Sequence, residues 1–148
     1  MGVYVGGTGS ANHLDDYEEG VWNPAPAGSS TAGTYNRTGE GYYIKIGRQV
    51  RCWMNVTGNL SGAAGSTHIN NLPFTNVPNS AASGYSAAYG AGNVSYWSGG
   101  GGDVMGALVP NNATHIYFHF DNGSGTGANT SISNGNHNGH IEVCYFTA

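Results

Sequence analysis

The chain has 148 residues, enough for one domain, and its formal net charge is only −4 with 8% charged side chains. Four Lys and Arg residues are too few to neutralise the phosphates of a nucleic acid, and no apolar run is long enough to span a membrane. Leu, Ile, Val and Phe together number only 24, although 10 Tyr and 3 Trp add apolar bulk. With 26 Gly residues to order, a lone subunit has little stability margin, which favours association between copies.

Strand signals dominate the chain, whereas helical periodicity is almost absent. Apolar and β-branched runs recur at short intervals, separated by turn clusters rich in Gly, Asn and Pro. In chain order, the predicted strands cover residues 20–25, 41–47, 49–58, 67–74, 84–92, 93–97, 103–109, 114–120 and 140–148. Many short strands joined by such turns predict an all-β fold, an antiparallel and jelly-roll-like β-sandwich. We expect residues 1–13 to form an N-terminal arm and residues 14–148 to form a single β-sandwich domain.

Two of the predicted strands alternate clearly between their two faces. The residues expected to face the core are Val50, Cys52, Met54 and Val56 in one strand, and Ile116, Phe118 and Phe120 in the other. The opposite faces carry Arg51, Trp53 and Asn55 in the first strand, and His115, Tyr117 and His119 in the second. These opposite faces are semi-polar and aromatic, a composition that suits a subunit interface.

Acidic and basic side chains are each concentrated in a short part of the chain. Four of the eight acids lie within LDDYEEGVW, and they are Asp15, Asp16, Glu18 and Glu19. All the basic residues fall within residues 37–51, and they are Arg37, Lys45, Arg48 and Arg51. We predict that the two clusters meet, within a subunit or between neighbours, as a latch that fixes strand register or partner orientation. Tyr17 and Trp22 would supply the burial energy, and a solvated acidic loop is the alternative.

The acidic cluster is a poor candidate for a catalytic or metal site. Neighbouring residues of a strand point to opposite faces, and the other acids, such as Asp103, Asp121 and Glu142, are isolated. The facing carboxylates that a glycoside hydrolase needs are therefore missing. The cluster also lacks the ligand spacing of an EF-hand calcium loop. We predict no enzymatic activity, no metal and no cofactor.

Histidines and cysteines leave two alternatives open. His115 and His119 share a strand face, and His137 and His140 lie three residues apart, so zinc or nickel could use either pair. Surface or interface histidines are the simpler interpretation. Cys52 and Cys144 lie within apolar runs, so we expect two buried free thiols, and the spacing alone does not exclude a disulfide.

A recognition loop is predicted in SGYSAAYGAGNVSYWSGGGG, residues 83–102, because Tyr, Asn, Ser and Gly are typical of adaptable binding surfaces. The candidate ligand-facing residues are Tyr85, Tyr89, Tyr96 and Trp97. Tyr96 and Trp97 could stack on sugar rings, but packing in the core or an interface is the preferred interpretation for both.

Two stretches resemble a family of tailed-bacteriophage virion surface modules. GGTGSANHLDDYEEGVWNPA resembles the family motif LDDYEEGTWTP, with Val21 and Asn23 where the family has Thr. YNRTGEGYYIKIGRQVRCWMNVTG resembles a Tyr-rich segment leading through K-x-G-R-x-V to a long strand, and INNLPFT resembles the family's LPF turn. The resemblance covers nearly the whole chain and implies a β-sandwich that trimerises on the virion surface. It implies a structural role for Leu14, Asp15, Asp16, Tyr17, Glu18, Glu19 and Trp22.

The resemblance implies two locations on a virion. Because the motif begins within about fifteen residues of the N-terminus, we favour a trimeric capsid decoration (cement) protein on the outer capsid surface. Its expected partners are its own copies and the major capsid protein or other virion proteins. The alternative is a distal receptor-binding domain of a tail fibre or tailspike that binds a host surface glycan, and a polysaccharide-degrading tailspike domain is a distant third. We expect neither nucleic acid nor membrane insertion, and synthesis in the bacterial cytoplasm.

Overall fold

A computed structural model describes residues 3–4, 13–14, 16–37, 39–78, 89–98, 104–121, 127–129 and 135–147. Every regular element among them is a strand, and no helix suited to crossing a bilayer occurs in these ranges. The strands are β1 (Val3–Tyr4), β2 (His13–Leu14), β3 (Tyr17–Trp22), β4 (Ala25–Gly28), β5 (Thr34–Tyr35), β6 (Glu40–Ile46), β7 (Gln49–Ser61), β8 (Thr67–Asn70), β9 (Gly90–Ser98), β10 (Val104–Val109), β11 (Ile116–Asp121), β12 (Gly127–Asn129) and β13 (Gly135–Phe146).

One antiparallel sheet joins all of these strands except the β1–β2 pair. Its order is β3-β6-β7-β13-β9-β10-β11-β8-β4, with β12 paired to β11 and β5 paired to β7. The sheet curls, because β4 at one end of this order also contacts β5 and β7. The all-β, antiparallel prediction is confirmed, and the two layers expected of a sandwich are parts of this single curled sheet. The jelly-roll arrangement and the domain boundary at residue 14 stay predictions.

The inner face of the sheet encloses one hydrophobic core. Val50, Cys52, Met54 and Val56 are all buried, which confirms the face predicted for β7. Ile116 and Phe118 of β11 are fully buried as predicted, and the side chain of Phe120 lies outside the described part of the chain. The same core cluster includes Trp22 of β3, residues of β8 and β10, and Ile141, Val143 and Tyr145 of β13.

Several strand boundaries differ from the sequence prediction for local reasons. The strand predicted over residues 67–74 ends at Asn70, because Asn71 adopts a positive φ of 72° and Pro73 cannot donate to a ladder. Residues 90–98 form one strand instead of parts of two. The last strand begins at Gly135, five residues before the predicted start, and its whole length pairs with β7.

The two cysteines lie on opposite faces of the sheet. In the β7–β13 ladder, Cys52 is opposite Val143 and Cys144 is opposite Arg51, so their side chains diverge. Both are free thiols, as expected, but the prediction that both are buried is wrong for Cys144, which is half-buried on the outer face. Burial raises the pKa of the Cys52 thiol to about 12, so this group stays protonated at neutral pH.

We expect only one of the two thiols to react in the native protein. Cys144 should be alkylated by iodoacetamide at pH 8, whereas Cys52 should react only after unfolding, because a buried protonated thiol is inert. Mass spectrometry of peptides from native and denatured samples measures this, and Cys144→Ala should abolish native labelling. Native labelling of Cys52 at a comparable rate would contradict its place in the core.

Candidate functional site

The acidic motif occupies strand β3, which lies at one end of the sheet order and pairs with β6. Alternation along the strand divides the motif between two faces. Glu18 lies opposite Lys45 on the side of the core, whereas Tyr17, Glu19 and Val21 lie on the outer face. Asp15 and the side chain of Leu14 lie outside the described residues.

On the core side, the acids hold β3 to β6, and their partners on β6 contact the segment after β8. The Asp16 carboxylate and the Lys45 ammonium form an ion pair of 2.5 Å, and Lys45 also lies over the Phe74 ring at 5.8 Å. The Tyr43 hydroxyl donates to Glu18 at 2.6 Å, a hydrogen bond that raises the tyrosine pKa. The Tyr43 and Phe74 rings meet edge to face at 5.3 Å. Two of the acids therefore join three segments at the rim of the core.

The other basic residues do not meet the acidic cluster within the described chain. Arg51 pairs with Glu142 of β13 at 2.5 Å and lies 5.0 Å from the centre of the Trp53 ring. Arg48 donates to the backbone oxygen of Thr147 at 2.9 Å, and Arg37 is exposed. The contact between the two clusters thus runs through Lys45, and a role of the acids in assembly stays a prediction.

Removing both core-side acids should lower stability modestly. For Asp16→Asn with Glu18→Gln, we expect a loss of about 1 kcal/mol and a thermal midpoint lower by a few degrees, because these contacts lie at an exposed rim. Differential scanning calorimetry measures the change. Glu19→Gln is the matched control, because Glu19 lies on the other face and accepts only from the Tyr17 hydroxyl at 2.5 Å in the described chain. Equal midpoints for the double variant and the control would contradict the latch.

The outer face of β6, β7, β13 and β9 forms an open groove of about 370 Å³. Its residues follow the ladder registers in two rows across the four strands. One row is Tyr42, Trp53, Glu142 and Asn93, and the next is Glu40, Asn55 and His140, with Tyr96 opposite His140 beyond the groove lining. We call these two rows, with their extension described next, the outer groove.

The outer groove continues along β7 towards its C-terminal end. Two further depressions, of about 300 and 260 Å³, share Arg37 and Thr57 with each other, and the first also shares Glu40 and Asn55 with the groove. The Thr57 hydroxyl lies 3.1 Å from the amide oxygen of Asn55 and 3.0 Å from that of Asn138. The amide of Asn59 donates to Asn136 at 3.4 Å. Cross-strand hydrogen bonds therefore fix the polar floor of the groove.

A β-bulge decides which aromatic residues of β9 reach this surface. The register shifts at Ser95, so Tyr96 lies opposite His140 on the outer face and Trp97 lies opposite Gly139 on the inner face. The ring centre of Trp97 is 4.6 Å from that of Phe118, and the residue is half-buried against the core. Trp97 therefore does not face this surface, and packing, the interpretation preferred from the sequence over ligand contact, is its role. Tyr96 and Tyr89 are each 49% exposed, and Tyr85 lies outside the described residues.

The histidine pairs proposed from spacing are not brought together as metal ligands. His137 is buried on the inner face and His140 is exposed on the outer face, so their side chains diverge. His115 instead meets His68 at 5.2 Å between ring centres, and burial lowers the pKa of both. No cluster of three potential metal ligands occurs in the part of the chain that is described.

Sequence reasoning placed Arg51, Trp53 and Asn55 on one face but missed most of their neighbours in the groove. Tyr42, Glu40, Asn93 and His140 come from three other strands, and only the registers bring them together. The alternation of Glu40 and Tyr42 with buried Gly41 was the available signal, and it was too short to stand out.

Comparisons with known proteins give one informative match. No family model matches the chain, and no curated protein matches it. A crystal structure of the Dettilon tailspike protein superimposes with a TM-score of 0.63 at 16% sequence identity. The match covers 88% of this chain but 23% of the tailspike chain, so the chain spans about a quarter of that protein. At this level of identity the match shows the fold: nearly the whole chain has the fold of part of a tailspike protein.

Proposed function

We propose that the chain is a non-enzymatic module on the surface of a tailed-phage virion, part of a tailspike or tail fibre. The observation that carries this proposal is the fold shared with a tailspike protein over 88% of the chain. The resemblance of the LDDYEEG-x-W motif to virion surface modules supports a place on the virion surface by an independent route.

A capsid decoration protein that contacts the major capsid protein is the second candidate. The motif resemblance supports it as well, because the motif recurs in both kinds of virion protein. The structural comparison favours the tail, since the matched fold belongs to a tailspike. We therefore rank the tail location first, in place of the capsid location that the sequence favoured.

The positions of the carboxylates support binding rather than hydrolysis. Asp16, Glu18 and Glu142 are engaged by Lys45, Tyr43 and Arg51, respectively. Glycoside hydrolysis needs two carboxyl groups facing each other across the substrate, one of them protonated. The outer groove contains two glutamates. Glu142 is held in the ion pair with Arg51, so Glu40 is the glutamate there that this ion pair does not engage.

A homotrimer is part of the proposal, with the apolar end of the outer face as its interface. Tyr17, Ile46, Gln49 and Phe146 form one row across β3, β6, β7 and β13, and Tyr17, Ile46 and Phe146 are 46–54% exposed. The next row places Glu19 and Arg51 on either side of Ile44, so charged side chains border the apolar row. Exposed apolar groups of this kind mark protein interfaces when they are contiguous.

The interface is tested by Ile46→Glu, which should convert trimers to monomers in sedimentation-velocity experiments. Ala32→Glu introduces the same charge at an exposed position outside this row and should leave the trimer intact. A monomeric wild-type chain, or a trimer unaffected by Ile46→Glu, would overturn this interface.

The tail location is tested by competition for adsorption. Host cells incubated with the purified chain should adsorb fewer phage particles, because a receptor-binding tail module occupies the receptor, whereas a decoration protein leaves adsorption unchanged. Heat-denatured chain at the same concentration is the control. Unchanged adsorption at saturating native protein would contradict the receptor-binding role.

A further inference from the structure

We infer that His68 and His115 together form a binding site for a divalent transition-metal ion such as zinc or nickel. His68 lies in β8, and His115 immediately precedes β11. The inference goes beyond the proposed function and does not depend on it. It also departs from the absence of a metal that the sequence predicted, because the spacing of the histidines in the sequence does not pair these two residues.

The register between β8 and β11 makes the two histidines neighbours. Ile69 lies opposite Ile116, and His68 lies opposite Tyr117. Both isoleucines are fully buried in the core, so the alternation along each strand places the side chains of His68, His115 and Tyr117 on the outer face. A strand pairing, and not a local motif, therefore creates the site.

The distance between the two imidazole rings fits a shared metal ion. Their ring centres are 5.2 Å apart, and the ring planes are inclined at 53°. Two imidazoles that bind one tetrahedral ion through nitrogens at about 2.0–2.1 Å have their ring centres about 5 Å apart. Tyr117 meets both rings edge to face, with its ring centre 4.8 Å from that of His115 and 5.9 Å from that of His68. The tyrosine thus forms a wall beside the pair.

Burial and charge also suit the two residues to bind a metal. His68 is only 9% exposed, and its Nδ1 atom is buried without a hydrogen-bond partner among the described residues. A buried polar atom of this kind needs a partner, and a metal ion supplies one. Burial lowers the pKa of both histidines, so both imidazoles are neutral at neutral pH. Neutral imidazole is the form that binds metal.

A bound ion would reinforce a short part of the sheet. The ladder between β8 and β11 consists of the two pairs named above, whereas β13 pairs with β7 along its whole length. An ion held by His68 and His115 would cross-link β8 to the start of β11, and its binding would add to the stability of the native fold. Two protein ligands leave the other coordination positions to water, so we expect weaker binding than at a four-ligand structural site.

The test is titration calorimetry of the EDTA-treated chain with nickel chloride and zinc chloride at neutral pH. His115→Gln should weaken binding about tenfold or more, because it removes one of the two ligands. His140→Gln is the matched control, since it removes an exposed histidine from another part of the outer face and should bind like wild type. Calcium chloride is the control ion, because calcium prefers oxygen ligands and should not bind here.

Thermal melts give a second readout that a purely structural role of the histidines would not change. Free metal at about 100 times its dissociation constant should raise the midpoint of wild type by about 5–10 °C. His115→Gln should lose this metal-dependent increase, and so should His68→Gln, which serves as the second ligand variant. Circular dichroism without metal verifies that each variant is folded.

Three outcomes would overturn the inference: no binding of nickel or zinc, equal affinity for wild type and His115→Gln, or a similar loss of affinity in His140→Gln. None of them affects the proposed tail location, which adsorption competition tests separately. Conversely, metal binding that His115→Gln abolishes would support the site even if the chain proved to lie on the capsid.

Discussion

Replacing Trp22 with alanine is expected to lower the free energy of unfolding by about 3–5 kcal/mol. Trp22 is the residue of the acidic motif that packs in the core, because it is 6% exposed and belongs to the main hydrophobic cluster. Gly41 lies directly opposite in the β3–β6 ladder, and the indole fills the space that a side chain there would occupy. The vacated volume cannot close without moving β3, so the loss should include a cavity contribution. Urea denaturation followed by circular dichroism measures it.

Val21→Ala is the matched control for this variant. Val21 is the neighbouring residue, but it is 74% exposed on the outer face, so its truncation should change stability by less than about 0.5 kcal/mol in the monomer. Gly41→Ala should also destabilise the protein, because its methyl group would meet the Trp22 ring. Similar losses for Trp22→Ala and Val21→Ala would contradict the assignment of Trp22 to the core.

Phe118→Ala should cost a similar amount, about 3–5 kcal/mol. Its ring is fully buried at the centre of β11 and packs against Trp97, with their ring centres 4.6 Å apart. Truncation would remove one of the ring contacts of Trp97, so the emission of that tryptophan should shift as well. Equilibrium unfolding in urea gives the energy, and native-state fluorescence reports the local change.

Tyr96→Ala is the control for Phe118→Ala, because Tyr96 precedes Trp97 but lies on the exposed face. It should cost less than about 1 kcal/mol. A loss below 1 kcal/mol for Phe118→Ala would show that the inner face of β11 is wrongly assigned.

The fold class and two core faces could be predicted because their signals are local. In β7, four alternate apolar residues from Val50 to Val56 determine which face is buried, whatever strands lie beside it. The order of the strands is not local, because β13 pairs with β7 across more than 70 residues and no short pattern encodes that partnership. The all-β class therefore followed from the sequence, whereas the single curled sheet required the structure.

The same distinction between local and non-local signals explains which contacts of the candidate site could be predicted from the sequence. Asp16 immediately precedes β3 and Lys45 lies in β6, the strand paired with β3, and the concentration of opposite charges in two short segments was the signal for their contact. The partner of Arg51 is Glu142, an isolated acid 91 residues away, and nothing in its surroundings marks it. The sequence could not assign Trp97 to a face, because one extra residue at Ser95 reverses the alternation, and a bulge leaves no clear pattern in a Ser- and Gly-rich strand.

The central claim, a place on the phage tail, is tested most directly by cryo-electron microscopy of the virion that carries this chain. Docking the described residues into the map should place three copies around a threefold axis of a tailspike or tail fibre. The interfaces between copies should contain Tyr17, Ile46 and Phe146, with the outer groove left open to solvent. Density for the chain on the capsid lattice, and none on the tail, would contradict the account and identify a decoration protein instead.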